Sequence, residues 1–275
     1  MHKRLCDVLY YTLTMKKIIV VFPIVFVIFA LIIRAISVDT VPVDIDSSFL
    51  DITEELYGTL LHYTGFTVSY NPETLQPDWV SYTLTAEQVE QTKHTPKIPR
   101  CFMPDPNLDL PQATNEDYSG SGWVRGHMAR RQDMKWSEQA VKESDYFTNI
   151  CPQNKEMNNG VWHQIENLAR RLAVKYDSIH IVCGPLFLSK TPKTIGPNDV
   201  SIPDIFFKAF LVKIKDTYHT IAFVCPNSPD AVTIYEIMQP VNAVEDLTGW
   251  DLFDFLDDAI EETVEGEVEV NIWTE

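Results

Sequence analysis

An α+β fold is what this sequence predicts, on three observations. Residues 65–70 (GFTVSY) and 79–84 alternate apolar and polar side chains as strands do. Residues 206–214 (FFKAFLVKI) and 220–225 (TIAFVC) flank a short polar turn, the pattern of an antiparallel hairpin. Residues 159–176 place Val161, Trp162, Ile165, Leu168, Ala169, Leu172, Ala173 and Tyr176 on one stripe of period 3.6, the mark of an amphipathic helix. These segments follow one another without a βαβ rhythm, which argues against a doubly wound parallel sheet, and no internal repeat is present.

From the N-terminus, residues 18–33 are apolar apart from Pro23, with Lys16 and Lys17 before them and Arg34 after. This is a charged n-region followed by an apolar h-region, and the run is short for a full membrane span of about 20 residues. A signal cleaved near Ala35-Ile36-Ser37 and an uncleaved membrane anchor both fit residues 1–37, and translation starting at Met15 would keep either. Both place the rest of the chain outside the cytoplasm: periplasmic, secreted or membrane-anchored through residues 18–33. Residues 38–59 read as an acidic linker with a short helix, and 60–275 as the folded domain. Residues 91–122 hold five prolines among small polar residues, a long surface loop of the kind that is usually functional. Residues 179–183 form a buried strand that ends at Gly184-Pro185. Residues 245–275 carry twelve acidic groups and no Lys or Arg, and read as a solvated acidic face in which Trp250, Leu252, Phe253, Phe255 and Leu256 could anchor a helix.

The 275 residues are 45% hydrophobic and 22% charged, which excludes a disordered chain, a collagen-like repeat and a coiled coil. With ten glycines and neither G-x-G-x-x-G nor a P-loop string, a glycine-rich phosphate cradle is excluded. A net charge of −17 argues against a protein that coats polyanions. Cys101, Cys151, Cys183 and Cys225 lack the close spacing of a zinc site, and fit either two disulfides or buried thiols.

Against that acidic background, Arg125, His127, Arg130, Arg131 and Lys135 form a local basic cluster, and Arg170 and Arg171 a second one on the polar side of the long helix. Cations gathered at one site can hold a phosphodiester despite the negative total. Hydrolysis of such a bond needs an activated water, a divalent cation and compensation of charge on phosphorus. A histidine near neutral pH can take the proton, and one carboxamide oxygen suffices for Mg²⁺, which keeps most of its waters. Asn158, just ahead of residues 159–176, also suits a helix N-cap.

The stretch Arg125-Gly126-His127, then Asn158 in NNGVW, then Glu166 eight residues later resembles the DNA/RNA non-specific endonucleases of the ββα-metal class, the family that includes mitochondrial endonuclease G. The resemblance covers roughly residues 60–260 through GFTVSY, PDWVSYTLT, the region of Arg100, SGWVRGHMA, MKWSEQAV, TNICPQ and VCGPLF. It implies a central antiparallel sheet flanked by helices and an Mg²⁺-dependent nuclease, with Mn²⁺ or another divalent cation as a substitute, acting on both DNA and RNA to leave 5′-phosphates. It implies His127 as general base, Asn158 as metal ligand, Glu166 acting on the metal through water, and Arg125 as a phosphate clamp. Arg170, at i+4 from Glu166, would pair with it or face the phosphate. Asn149 is a further candidate to ligate the metal or support its ligands, and members of the family are often homodimers.

Two positions depart from the family pattern. Val124 stands where the motif has an aspartate, which raises the alternative of a non-catalytic nucleic-acid-binding relative. Arg130 stands where many members have proline, and predicts a looser loop after His127.

Overall fold

A computed structural model describes residues 58–95 and 97–273. The apolar segment 18–33 and the linker as far as residue 57 lie outside them. Eleven strands and eight α-helical segments appear among the described residues. In chain order these are β1 Thr59–His62, β2 Thr67–Asn71, β3 Gln76–Thr85, α1 Ala86–Gln91, α2 Asn115–Tyr118, β4 Val124–His127 and α3 Glu138–Ser144. There follow β5 Ile150–Gln153, α4 Lys155–Met157, α5 His163–Tyr176, β6 Ser178–Leu186, β7 Thr194–Ile195, β8 Val200–Ser201, β9 Ile205–Ile214 and β10 Thr217–Pro226. The chain closes with β11 Met238–Gln239, α6 Asn242–Thr248, α7 Asp258–Glu265 and α8 Val270–Trp273.

Seven strands form one antiparallel sheet in the order β1-β2-β3-β6-β9-β10-β11. The strands expected around 65–70, 79–84 and 179–183 and the 206–225 hairpin are all in it. Alternation along β9 divides the core between the two faces. Phe206, Phe210 and Val212 face one way with Ile181, Phe223 and the buried stripe of α5. Phe207, Ala209 and Leu211 face the other way with Val244, Leu252, Phe253 and Leu256. A strand covered on both sides has no polar alternation to show, which is why FFKAFLVKI reads as nearly continuous apolar sequence.

Three sequence expectations are refined. The helix read over 159–176 starts at Lys155, and Asn154, not Asn158, is its N-cap, its side chain accepting from the backbone N–H of Glu156 and Met157. Between α4 and α5 the segment Asn158–Trp162 widens into a π turn, with Gly160 at φ −96°, ψ −109°. Such an insertion is a frequent device at functional sites. The loop 91–122 is not only surface: Ala113 and Tyr118 are buried with Phe147 and Ile150 in a third apolar cluster. The acidic tail is not simply a solvated face either. Leu252, Phe253 and Leu256 are buried between helices rather than in one, and Glu265 is buried. The four cysteines 101, 151, 183 and 225 are unpaired, the last three buried.

Candidate active site

Strand β4 carries the Arg-Gly-His triplet and pairs antiparallel with β5, which sets Gly126 opposite Cys151 and His127 opposite Ile150. Gly126 is glycine for a steric reason: a Cβ there would collide with the side chain of Gln153. That space matters because Gln153 Oε1 accepts from Asn158 Nδ2. The ladder, the glycine and the π turn therefore bring Asn158 against Gln153, beside the Gly126 that precedes His127. With Nδ2 engaged, Asn158 Oδ1 accepts no hydrogen bond among the described residues and stays available as a hard oxygen donor in a half-buried position.

His127 is oriented from behind. Its Nε2 lies 3.1 Å from Asp145 Oδ1. A carboxylate only accepts, so Nε2 carries the proton and Nδ1 is left as the acceptor. Asp145 is itself clamped: Arg131 Nε donates to both its oxygens at 2.9 Å, and the N–H of Cys101 donates to Oδ2 at 3.1 Å. Burial favours a neutral Asp145, but the bonds from His127, Cys101 and Arg131 outweigh it and hold the carboxyl below the usual range. Burial lowers the pKa of His127, against the opposing pull of Asp145, and Arg100 and Arg131 lower it further. The imidazole is therefore neutral at pH 7, the form that can accept a proton.

Glu166 lies off the apolar stripe of α5, yet it is buried under the loop that follows His127. Burial pushes its carboxyl up to about 7, with Lys208 and Arg130 pulling it down and Asp133 adding repulsion. Arg130 Nε reaches Glu166 Oε2 at 3.1 Å, and Arg130 Nη1 donates to Asn167 Oδ1 at 3.0 Å. Arg130 thus ties the loop to α5, and the looser loop expected from the missing proline is replaced by an ion-paired one. Lys208 is fully buried on β9; its Nζ donates to the carbonyl of Met128 at 3.1 Å and lies 4.6 Å from the Trp162 ring centroid. It supports the residue after His127 and supplies positive charge beneath Glu166.

Two site expectations are corrected. Arg170 meets neither Glu166 nor an open phosphate position. Its Nη1 donates to Asp133 Oδ1 at 2.7 Å and its Nη2 to Thr92 Oγ1 at 2.8 Å. Asp133 is completely buried and needs a cation, while Arg130 has already met Glu166. Asn149 has no free ligand atom: its Oδ1 accepts from Ala129 N–H, and its Nδ2 donates to the carbonyls of Ala129 and Ser144. It fastens the turn after His127 instead of facing a metal.

Arg125 lies beside His127 with its guanidinium 5.5 Å from the Phe102 ring centroid and 5.1 Å from that of Tyr118. One amino group donates to the carbonyl of Asn115 at 3.0 Å, while its buried Nε has no partner. Exposed Arg100 stands 5.7 Å from the same Phe102 ring. Two guanidinium groups therefore flank one aromatic residue that itself lies 5.3 Å from the His127 ring. Sequence reasoning missed Asp145, Gln153 and Lys208, and read Arg131 as a member of the basic cluster without its partner Asp145. Only Lys208, a lone charge inside an apolar strand, carried a local signal.

A family model described as DNA/RNA non-specific endonuclease matches residues 52–259. The mitochondrial nuclease EXOG of Xenopus laevis is 38% identical over 183 residues, 61% of this chain and 50% of that protein. Mitochondrial nuclease 1 of Schizosaccharomyces pombe is 32% identical over 206 residues, 68% of this chain and 64% of that protein. Human mitochondrial endonuclease G is 28% identical over 198 residues, 67% of this chain and 66% of that protein. The chain spans about half the length of the EXOG proteins it matches. In three dimensions, a chain from the crystal structure of an EndoG/EndoGI complex aligns at a TM-score of 0.65 and 27% identity, covering 74% of this chain and 90% of that one. These relatives are named as mitochondrial, which overturns the expectation of export. A lysine-flanked apolar segment records an affinity for membranes, not which membrane. No helix among the described residues is long and apolar enough to cross one.

Proposed function

Because this chain belongs to the DNA/RNA non-specific endonuclease family and has its ββα-metal nuclease fold, we propose that it is a mitochondrial endonuclease that hydrolyses phosphodiester bonds of both DNA and RNA with Mg²⁺. The carrying observation is the His127–Asp145 pair, which presents a neutral imidazole with one nitrogen open, on the strand pair whose Gln153 holds Asn158 with its oxygen open. The donor set fits a hard divalent cation: Asn158 Oδ1 would hold it, with Glu166 acting on the water around it. When bound, the cation offsets the negative charge that gathers on the phosphate.

His127 Nδ1 takes a proton from the attacking water as its oxygen bonds to phosphorus. The bond from phosphorus to the 3′ oxygen breaks, that oxygen gains a proton from solvent, and the products are a 5′-phosphate and a 3′-hydroxyl. Arg125, fixed between Phe102 and Tyr118, and Arg100 hold the phosphate. Contacts confined to phosphate carry no base information and no test for a 2′-hydroxyl, which is the physical basis for accepting both nucleic acids. Residues 18–33 would tether the domain to a mitochondrial membrane, and a homodimer is the assembly the family suggests.

Supercoiled plasmid and purified RNA are both expected to be degraded with Mg²⁺, to survive with EDTA, and to be degraded again on readdition of the cation. Survival of one of the two under Mg²⁺ would restrict the substrate class.

Val124 supports the competing reading of a non-catalytic relative. Yet Val124 pairs across the ladder with Gln153, which holds Asn158, and leaves the strand on the face opposite His127, whose own carboxylate is Asp145. Val124→Asp is therefore expected to change the plasmid cleavage rate less than about tenfold. A gain of about 10²-fold or more would show that the site is impaired as it stands.

A further inference from the structure

Arginines near the site are fixed in two different ways. Arg130, Arg131 and Arg170 each meet a carboxylate, Glu166, Asp145 and Asp133 respectively, and are neutralised as they are held. Arg100 and Arg125 meet no carboxylate among the described residues. Arg100 also makes no hydrogen bond among them, so the Phe102 ring, 5.7 Å from its guanidinium, is what restrains it. Arg125 lies 5.5 Å from the same ring and 5.1 Å from that of Tyr118. It spends one amino group on the Asn115 carbonyl and leaves its buried Nε without a partner.

The ring itself is fastened on every side. Cys101 N–H donates to Asp145 Oδ2 at 3.1 Å and Met103 N–H to the Asp145 carbonyl at 3.3 Å. Phe147 N–H returns to the Met103 carbonyl at 3.0 Å, and Asn115 Nδ2 donates to the Phe102 carbonyl at 2.8 Å. The ring packs against the third apolar cluster, 6.3 Å from the Phe147 ring. Segment 101–103 is thus tied on one side to Asp145, which orients His127, and on the other to Asn115, which receives Arg125.

We propose that Phe102 is a positioning residue of the nucleic-acid site, holding Arg100 and Arg125 in place for the phosphate without neutralising either. The inference rests on the nuclease reading above and adds to it the part that aims the two cations. A carboxylate in that place would fix the guanidinium groups and cancel the charge they offer to phosphate. An aromatic face attracts a guanidinium through its quadrupole and leaves the in-plane N–H donors free. An arginine already held on a ring also has less side-chain entropy to lose when phosphate binds than one loose in solvent.

The test is binding of a labelled DNA duplex to the full chain by fluorescence anisotropy, in EDTA and at one fixed salt concentration, followed by cleavage kinetics with Mg²⁺. Phe102→Leu keeps an apolar side chain on the cluster and removes the π face. It is expected to weaken binding about tenfold, the sum of two modest cation–π contacts, while Phe102→Tyr stays within about twofold of wild type. With Mg²⁺ the Phe102→Leu loss should fall on KM, with kcat within about threefold, because the His127–Asp145 pair is untouched. In an Arg100→Gln background the same substitution should cost only about threefold, since one of its two clients is already gone. Undiminished binding in Phe102→Leu, failure of Phe102→Tyr to rescue, or a full tenfold loss in the Arg100→Gln background overturns the positioning role, the last by showing that the ring acts independently of Arg100. A wild-type chain that binds the duplex but leaves it uncut with Mg²⁺ removes the nuclease reading and leaves this inference standing, whereas a wild-type chain that does not bind removes the inference.

Discussion

His127→Ala is expected to lower plasmid cleavage by about 10²- to 10⁴-fold at pH 7.5 with Mg²⁺, the usual contribution of a positioned general base. The fold should survive. The imidazole makes one hydrogen bond, and Asp145 retains Arg131 and the Cys101 N–H when it goes. Helix content by circular dichroism should match the wild type, and substrate binding should change little, since Arg100, Arg125 and Asn158 are untouched. Wild-type cleavage by the alanine variant would remove His127 from the reaction.

Asp145→Asn is expected to reduce kcat by about 10²- to 10⁴-fold with little change in KM. The substitution keeps shape and removes charge. An amide that turns its NH₂ toward His127 Nε2 makes that nitrogen the acceptor and places the proton on Nδ1, where it blocks proton transfer from water. Arg131, which donates to both Asp145 oxygens, loses its anionic partner at the same time, so a drop in Tm should accompany the kinetic loss. A fall in Tm with kcat intact would mean that Asp145 only holds the loop. Loss of kcat with KM preserved is what orientation of the base demands.

What the sequence made legible was whatever is local. The amphipathic stripe of α5, the β9–β10 hairpin and the alternating strands β2 and β3 were readable because each pattern repeats within one element. The triplet at 125–127, Asn158 and Glu166 were readable as an ordered motif, and the structure ties Asn158 to the triplet's strand pair through Gln153 and Glu166 to the following loop through Arg130. Partnerships across the chain were not. Asp145 lies 18 residues from His127 and Lys208 lies 80 from Met128, and no spacing rule connects such pairs. The four-residue strands β4 and β5 are too short to show alternation. The expected Arg170–Glu166 pair followed a sound helical rule, yet two tertiary contacts overrode it: Arg130 reached Glu166 first, and buried Asp133 claimed Arg170. Asn149 and Asn158 look alike in sequence. What separates them is that backbone groups take up the whole amide of Asn149 and leave the oxygen of Asn158 open.

The central claim is that His127 stands neutral at pH 7, protonated on Nε2 toward Asp145 and open on Nδ1. Long-range nitrogen–proton NMR on histidine-labelled protein reads both ring nitrogens directly. It should find the Nε2–H form at pH 7 and a titration below that of a free histidine, because burial disfavours the charged ring. Acidification would then protonate Nδ1 only at lower pH, so the base form persists below the range in which an exposed histidine is lost. An imidazolium at pH 7, or the proton found on Nδ1, would contradict the account.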